Sequence, residues 1–210
     1  MVRFVEFVPM NNKIKSKKLM KHIILSKQFN LEQYLVKLED TITKIIKRVS
    51  KTTLTYDIMD TKKLQKNKLI ALKEKQRQMK IGEIIQAMLG QYDKFINLGN
   101  NHETGLDIIS DERKIIIELK NRTNTDNASA KKSNLDKLAK FKIANPEFTC
   151  IYGCINDDTE EKTTEGKIEI ISHQNVELKY YVGMKLLELV LGEHTNTIIK
   201  FVKKLINKLT

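Results

Sequence analysis

The sequence is short of everything that staples, breaks or anchors a chain. It has two cysteines, Cys150 and Cys154, in 210 residues, too few for a disulfide framework. Their scarcity points to a reducing, intracellular (cytoplasmic) setting. Two prolines and eight glycines exclude collagen-like and low-complexity readings. No apolar run approaches the roughly 18 residues that a bilayer span needs, so no membrane association is expected. Met1–Val8 is interrupted by Arg3 and Glu6 and offers no signal-peptide core.

Hydrophobic residues make up 40% of the chain, enough for a folded domain. The length fits one domain, or one compact core with a helical arm. The net charge of +12 is one-sided. Residues 1–82 hold 20 basic and 7 acidic side chains, and the other 128 residues hold 18 and 19. The whole basic excess therefore lies in the N-terminal two-fifths, which implies a polyanionic partner, a nucleic acid or an anionic surface, unless the lysines only solvate helices.

Periodicity gives the elements. Leu31, Tyr34, Leu35, Leu38, Ile42, Ile45, Ile46 and Val49 recur at three- and four-residue steps, one stripe of an amphipathic helix with Asn30 as a suitable cap. A second helix is predicted from Asp60-Thr61 to Leu89, lysine-rich at first and apolar from Ile81, with Gly82 a possible break. The period then changes. Residues 106–110 and 114–120 are short, β-branched runs around Asp111-Glu112-Arg113, a hairpin. A polar stretch, Asn121–Asn127, leads to a helix over 128–144 stopped by Pro146. Strands follow at 148–155, 167–172 and 176–181, then helices at 184–191 and 197–209. The order predicts an α/β (α+β) fold with a mixed central sheet of about five strands flanked by helices. Residues 1–80 form a basic helical arm packed on a core of residues 81–210.

The chemistry concentrates in the hairpin. A two-residue turn at Glu112-Arg113 makes paired positions sum to 225, so Asp107 faces Glu118. Directly opposed side chains share a face, with Cβ atoms about 5 Å apart. Lys120 lies two residues further on that face. Opposed carboxylates repel unless a cation sits between them, and hard oxygen donors suit Mg²⁺, with the Leu119 carbonyl as a third protein ligand. Such a metal lowers the pKa of bound water and neutralises phosphodiester charge, and Lys120 can orient the water. A hairpin with a merely polar, solvated end has the same spacing.

Gly105-Leu106-Asp107, Ile117-Glu118-Leu119-Lys120-Asn121-Arg122 and Asn124-Thr125-Asp126-Asn127-Ala128-Ser129 resemble type II restriction endonucleases of the PD-(D/E)XK superfamily. The resemblance is nearest to a subfamily that cuts GGNCC-type sites and extends from about Lys75 to the C-terminus. Leu106 stands where that motif often has proline. The resemblance implies that Asp107 and Glu118 bind Mg²⁺, that Lys120 is the active-site lysine, and that Glu83 is the superfamily's helix glutamate supporting the metal through water. It implies site-specific cleavage of double-stranded DNA at a palindrome, for which a homodimer is the simplest arrangement. A companion DNA methyltransferase would protect the host. A repair or recombination nuclease on the same core, and a non-catalytic DNA-binding module, are the other readings.

Arginine reads guanine and asparagine reads adenine by paired hydrogen bonds. Asn121, Arg122, Asn127, Lys131, Lys132 and Arg77 are therefore candidate DNA contacts, although an Asn/Asp-rich stretch also caps helices. His102 is a loop residue that could touch DNA. Cys150 and Cys154, four apart on a strand, read as core.

Overall fold

The two apolar stripes of the first half close on each other as a helix pair. In the computed structural model, which describes residues 29–49, 53–54, 58–99, 102–122 and 127–209, α1 is Leu31–Lys47 and α2 is Lys62–Gly90. Residues 1–28, 50–52 and 55–57 of the proposed N-terminal arm, and Asn124–Asp126, lie outside the described residues. Leu38 and Ile42 of α1 are fully buried, and Tyr34 donates its hydroxyl to the Met88 carbonyl at 2.8 Å. Lys80 Nζ caps α1 by donating to the Ile46 carbonyl at 2.7 Å. The helix α2 starts on Thr61, whose side chain accepts from Leu64 N, and runs unbroken through Gly82. The expected break is absent because Ile84, Ala87, Met88 and Leu89 are all buried, and their packing outweighs the roughly 1 kcal/mol that glycine costs a helix. One continuous helix therefore crosses position 80.

The remaining strands and α-helices among the described residues are β1 (Ile96–Asn97), β2 (Ile108–Ser110), β3 (Ile115–Arg122), α3 (Ala128–Ala144), β4 (Thr149–Asn156), α4 (Glu160–Glu165), β5 (Lys167–His173), β6 (Val176–Val182), α5 (Met184–Leu191) and α6 (Thr195–Leu209). The fold is α+β, with a mixed six-stranded sheet in the order β1-β2-β3-β4-β6-β5. The inner strands β3, β4 and β6 are mutually parallel, and β2 and β5 join them antiparallel. The hairpin register is the one expected: Ile108 pairs with Ile117, Ile109 with Ile116 and Ser110 with Ile115. The strand β3 runs two residues further than its polar sequence suggests, because Arg122 pairs with Asn156 of β4.

Even-numbered residues of β3 share the face that α3 covers. Ile116, Cys150, Tyr152, Cys154, Leu178 and Tyr180 form one apolar cluster there with Leu135 and Leu138 of α3. Cys150 and Cys154 are core, as read, and burial pushes the Cys150 thiol up to about 11. The opposite face packs on α5: a Cβ at Gly153 would fall 2.7 Å from Leu186 Cδ2, so only glycine allows that approach. Among the described residues no helix is long and apolar enough to cross a membrane.

Candidate active site

Asp107 ends the β2–β3 ladder with its side chain. Its N–H donates to the Ile117 carbonyl at 3.1 Å, and its Oδ2 accepts from Leu119 N at 2.7 Å. The carboxylate is thereby locked to β3. Gln86 of α2 donates to the other oxygen, Oδ1, at 3.3 Å. Across the pair, Glu118 is 4% exposed, in the strand register of Tyr152. Lys120 Nζ lies 2.8 Å from Glu118 Oε1. Glu118 Oε2 is buried and has no hydrogen-bond partner among the described residues.

Burial raises the pKa of Asp107, opposed by the Leu119 hydrogen bond and by Lys120 and Lys137. Burial, then the neighbouring Asp107 charge, raises that of Glu118, opposed by the same two lysines. An orphaned buried carboxylate oxygen is costly. That oxygen on Glu118, beside the buried and fixed Asp107 carboxylate, is what a hard divalent cation would satisfy, and the donor set suits Mg²⁺. Two carboxylates fall short of a cage, as no group of three or more His, Cys, Asp or Glu placed to hold a metal ion exists among the described residues. Mg²⁺ sites tolerate this, because the ion keeps several waters.

The structure thus brings Asp107, Glu118, Leu119 and Lys120 together. It does not bring Glu83 to them. The Glu83 carboxylate is held by Arg48 Nη2 at 2.6 Å from both oxygens, and Gln86, three residues on, is the α2 side chain that reaches Asp107.

The candidate DNA contacts divide into two groups. Arg77, Asn121 and Arg122 line one cleft of about 420 Å³ at the ends of β3 and β4. Arg77 donates twice to Glu74 at 2.8 Å, and Arg122 lies 3.9 Å from the same carboxylate. These contacts hold Glu74 low, at about 2. Asn121 is tied inward: it donates to the Gln78 carbonyl at 3.3 Å, and its Oδ1 accepts from Asn156 Nδ2 at 2.9 Å. Asn127, Lys131 and Lys132 instead mark the start of α3. Asn127 Oδ1 accepts from Ala130 N at 2.8 Å, so it caps the helix, while Lys131 and Lys132 are exposed. His102 bonds within its own turn, Nδ1 to Thr104 Oγ1 at 2.8 Å.

Three residues at this end of the sheet were not singled out from sequence: Gln86, Asn156 and Lys137. Gln86 had a usable signal, since it lies one turn from Glu83 on the same helix. Asn156 and Lys137 had none, because only the sheet order carries β4 and α3 to β3.

No curated protein matches the chain. A family model described as Eco47II restriction endonuclease matches residues 6–209. The chain, with its paired carboxylates and lysine on a mixed sheet, belongs to the Eco47II restriction endonuclease family, whose members are site-specific endonucleases acting on DNA.

Proposed function

We propose that this restriction endonuclease hydrolyses phosphodiester bonds of double-stranded DNA at a short palindrome, possessing a PD-(D/E)XK-type site that uses Mg²⁺. The observation that carries the reading is the buried Asp107–Glu118 pair, with one Glu118 oxygen unpartnered among the described residues and Lys120 at 2.8 Å from the other. Asp107, Glu118 and the Leu119 carbonyl would hold the ion, which supplies charge neutralisation and an acidified water when bound.

The chain's own residues do the positioning. The Leu119 N–H and Gln86 fix the Asp107 carboxylate from two sides, so its rotamer is set before substrate arrives. Lys120, anchored on Glu118, directs an N–H toward the attacking water and the phosphate oxygens, where negative charge grows as the P–O ester bond breaks. Arg77 and Arg122 present guanidiniums at the neighbouring cleft, and Lys131 and Lys132 are exposed cations at the start of α3. A palindromic target matches a C₂ homodimer with one site per strand. A GGNCC-like target follows from the motif resemblance, as does a companion methyltransferase.

The test is digestion of a mapped plasmid in Mg²⁺, with the fragment ends sequenced. Discrete fragments with one repeated end sequence support the reading. Nicking that follows DNA structure and not sequence would favour a repair nuclease, and no cleavage with intact binding would leave a DNA-binding module.

A further inference from the structure

Lys137 is a charged side chain at this site that neither the motif nor the hairpin accounts for. It projects from α3, the crossover helix between β3 and β4, over the sheet face that carries Glu118 and Lys120. Its ammonium donates to the Gly105 carbonyl at 3.3 Å and to Asn134 Oδ1 at 3.2 Å. Both acceptors are neutral. Asn134 is itself 6% exposed, so the group that aims Lys137 is fixed in the core. Gly105 has φ +62°, and its missing Cβ would stand 3.4 Å from Lys137 Cε and 3.6 Å from Nζ. The loop therefore lets the lysine lie flat against it, two residues from Asp107. Its charge acts on both Asp107 and Glu118.

We propose that Lys137 is a second active-site lysine, whose ammonium contacts the phosphate being cleaved from the side opposite Lys120. This rests on the reading of the carboxylate pair as the nuclease centre, and it assigns a role to a residue outside the hairpin motif. The charge balance favours it. Two carboxylates and Lys120 leave one net negative charge, and one divalent ion turns that into one positive charge. Once the attacking water has given its proton to bulk solvent, the pentacoordinate phosphorane formed by the hydroxide carries about two negative charges on its oxygens, so one cation is still wanting. Lys137 supplies it from a fixed position, where preorganised charge is most effective. Its two neutral acceptors leave one N–H for the phosphate oxygen.

The competing role is a strut that holds the Gly105 turn. Lys137→Met removes the charge and keeps the length of the side chain, whereas Lys137→Arg keeps the charge. Both are compared with wild type and Asp107→Ala in single-turnover cleavage of a plasmid in Mg²⁺, in DNA binding in Ca²⁺, and in thermal unfolding. The expected result for Lys137→Met is cleavage slower by at least about a hundredfold, with affinity within about twofold and an unchanged melting midpoint. Lys137→Arg should recover to within about tenfold of wild type, since the charge is retained. Wild-type cleavage by Lys137→Met while Asp107→Ala is inactive would overturn the proposal and leave the carboxylate site standing. Slow cleavage by both lysine variants with a lowered melting midpoint would also overturn it, in favour of the strut. Wild-type cleavage by Asp107→Ala would remove the carboxylate site itself.

Discussion

Asp107→Asn should make the metal-free protein more stable while abolishing cleavage. The substitution is close to isosteric. Asparagine Oδ1 can still accept from Leu119 N, and the Gln86 amide, turned over, can accept from Nδ2. What disappears is one of two buried like charges. Two unit charges about 5–7 Å apart repel by about 2–3 kcal/mol at an effective dielectric of about 20. Lys120, 2.8 Å from Glu118, and Lys137 return part of that, which leaves about 1–2 kcal/mol. For a chain this size each kcal/mol moves the melting midpoint by about 2–4 °C, so the midpoint in EDTA at neutral pH should rise by about 2–8 °C.

The pH dependence fixes the sign. Both carboxyls titrate above their ordinary values in the folded protein, for burial and, at Glu118, for the Asp107 charge. Between the unfolded and folded values the folded state binds more protons, so stability contributed below the ordinary carboxylate range is lost as pH rises through the folded values. Asp107→Asn should flatten that fall. Millimolar Mg²⁺ should raise the wild-type midpoint, because a ligand of the folded state alone stabilises it, and should raise the variant's much less. Thermal unfolding monitored by circular dichroism, with and without EDTA, measures all of this. A variant less stable than wild type in EDTA would refute the reasoning, since it would mean that Asp107 contributes more by structure than it costs by charge.

Gln86→Ala should slow cleavage more than Glu83→Ala, because only Gln86 touches Asp107, while Glu83 is bound to Arg48; parallel rate measurements decide it. Gly153→Ala should cost about 1–3 kcal/mol in urea unfolding, as its methyl would stand 2.7 Å from Leu186 Cδ2. Lys62, Lys66, Lys73 and Arg77 are exposed and lie within about 60° of one another around α2. If they track DNA phosphates, replacing Lys62, Lys66 and Lys73 by glutamine lowers the slope of log affinity against log salt by up to about 2.7, about 0.9 for each contact. An unchanged slope makes the stripe a solvated face.

Elements with strong local signals were legible. The helix over Ala128–Ala144 lies between an asparagine cap and a proline, and it formed there. The hairpin register followed from turn length and the β-branched runs, and it set Asp107 beside Glu118. The misses are long-range. The strand β1 is two residues wide and α4 is six residues long, so neither carries a readable period. Asn121 and Arg122 read as a turn, and β4 recruits them as strand through Asn156. Glu83 read as a site residue, yet Arg48, 35 positions earlier, draws its carboxylate away.

Glu118 shows why the site was legible at all. The β3 sequence is that of an interior strand, with Ile116 and Ile117 fully buried, and the next position continues the burial with a carboxylate. A strand selected for stability alone would place an aliphatic side chain beside Tyr152, and a buried acid without a full set of partners costs the fold. Sequences break local rules where function requires it. Here the violation is compensated nearby, by Lys120 on the same strand and Lys137 across the face, and the residue left uncompensated is a single oxygen, Glu118 Oε2. Glu118→Leu should therefore give a protein that folds, because its strand neighbour Tyr152 belongs to the apolar cluster, but the change takes from Lys120 the carboxylate at 2.8 Å. In Mg²⁺ it should not cut DNA, and in urea it should match or exceed the stability of wild type in EDTA. A Glu118→Leu chain that still cut would place the metal elsewhere.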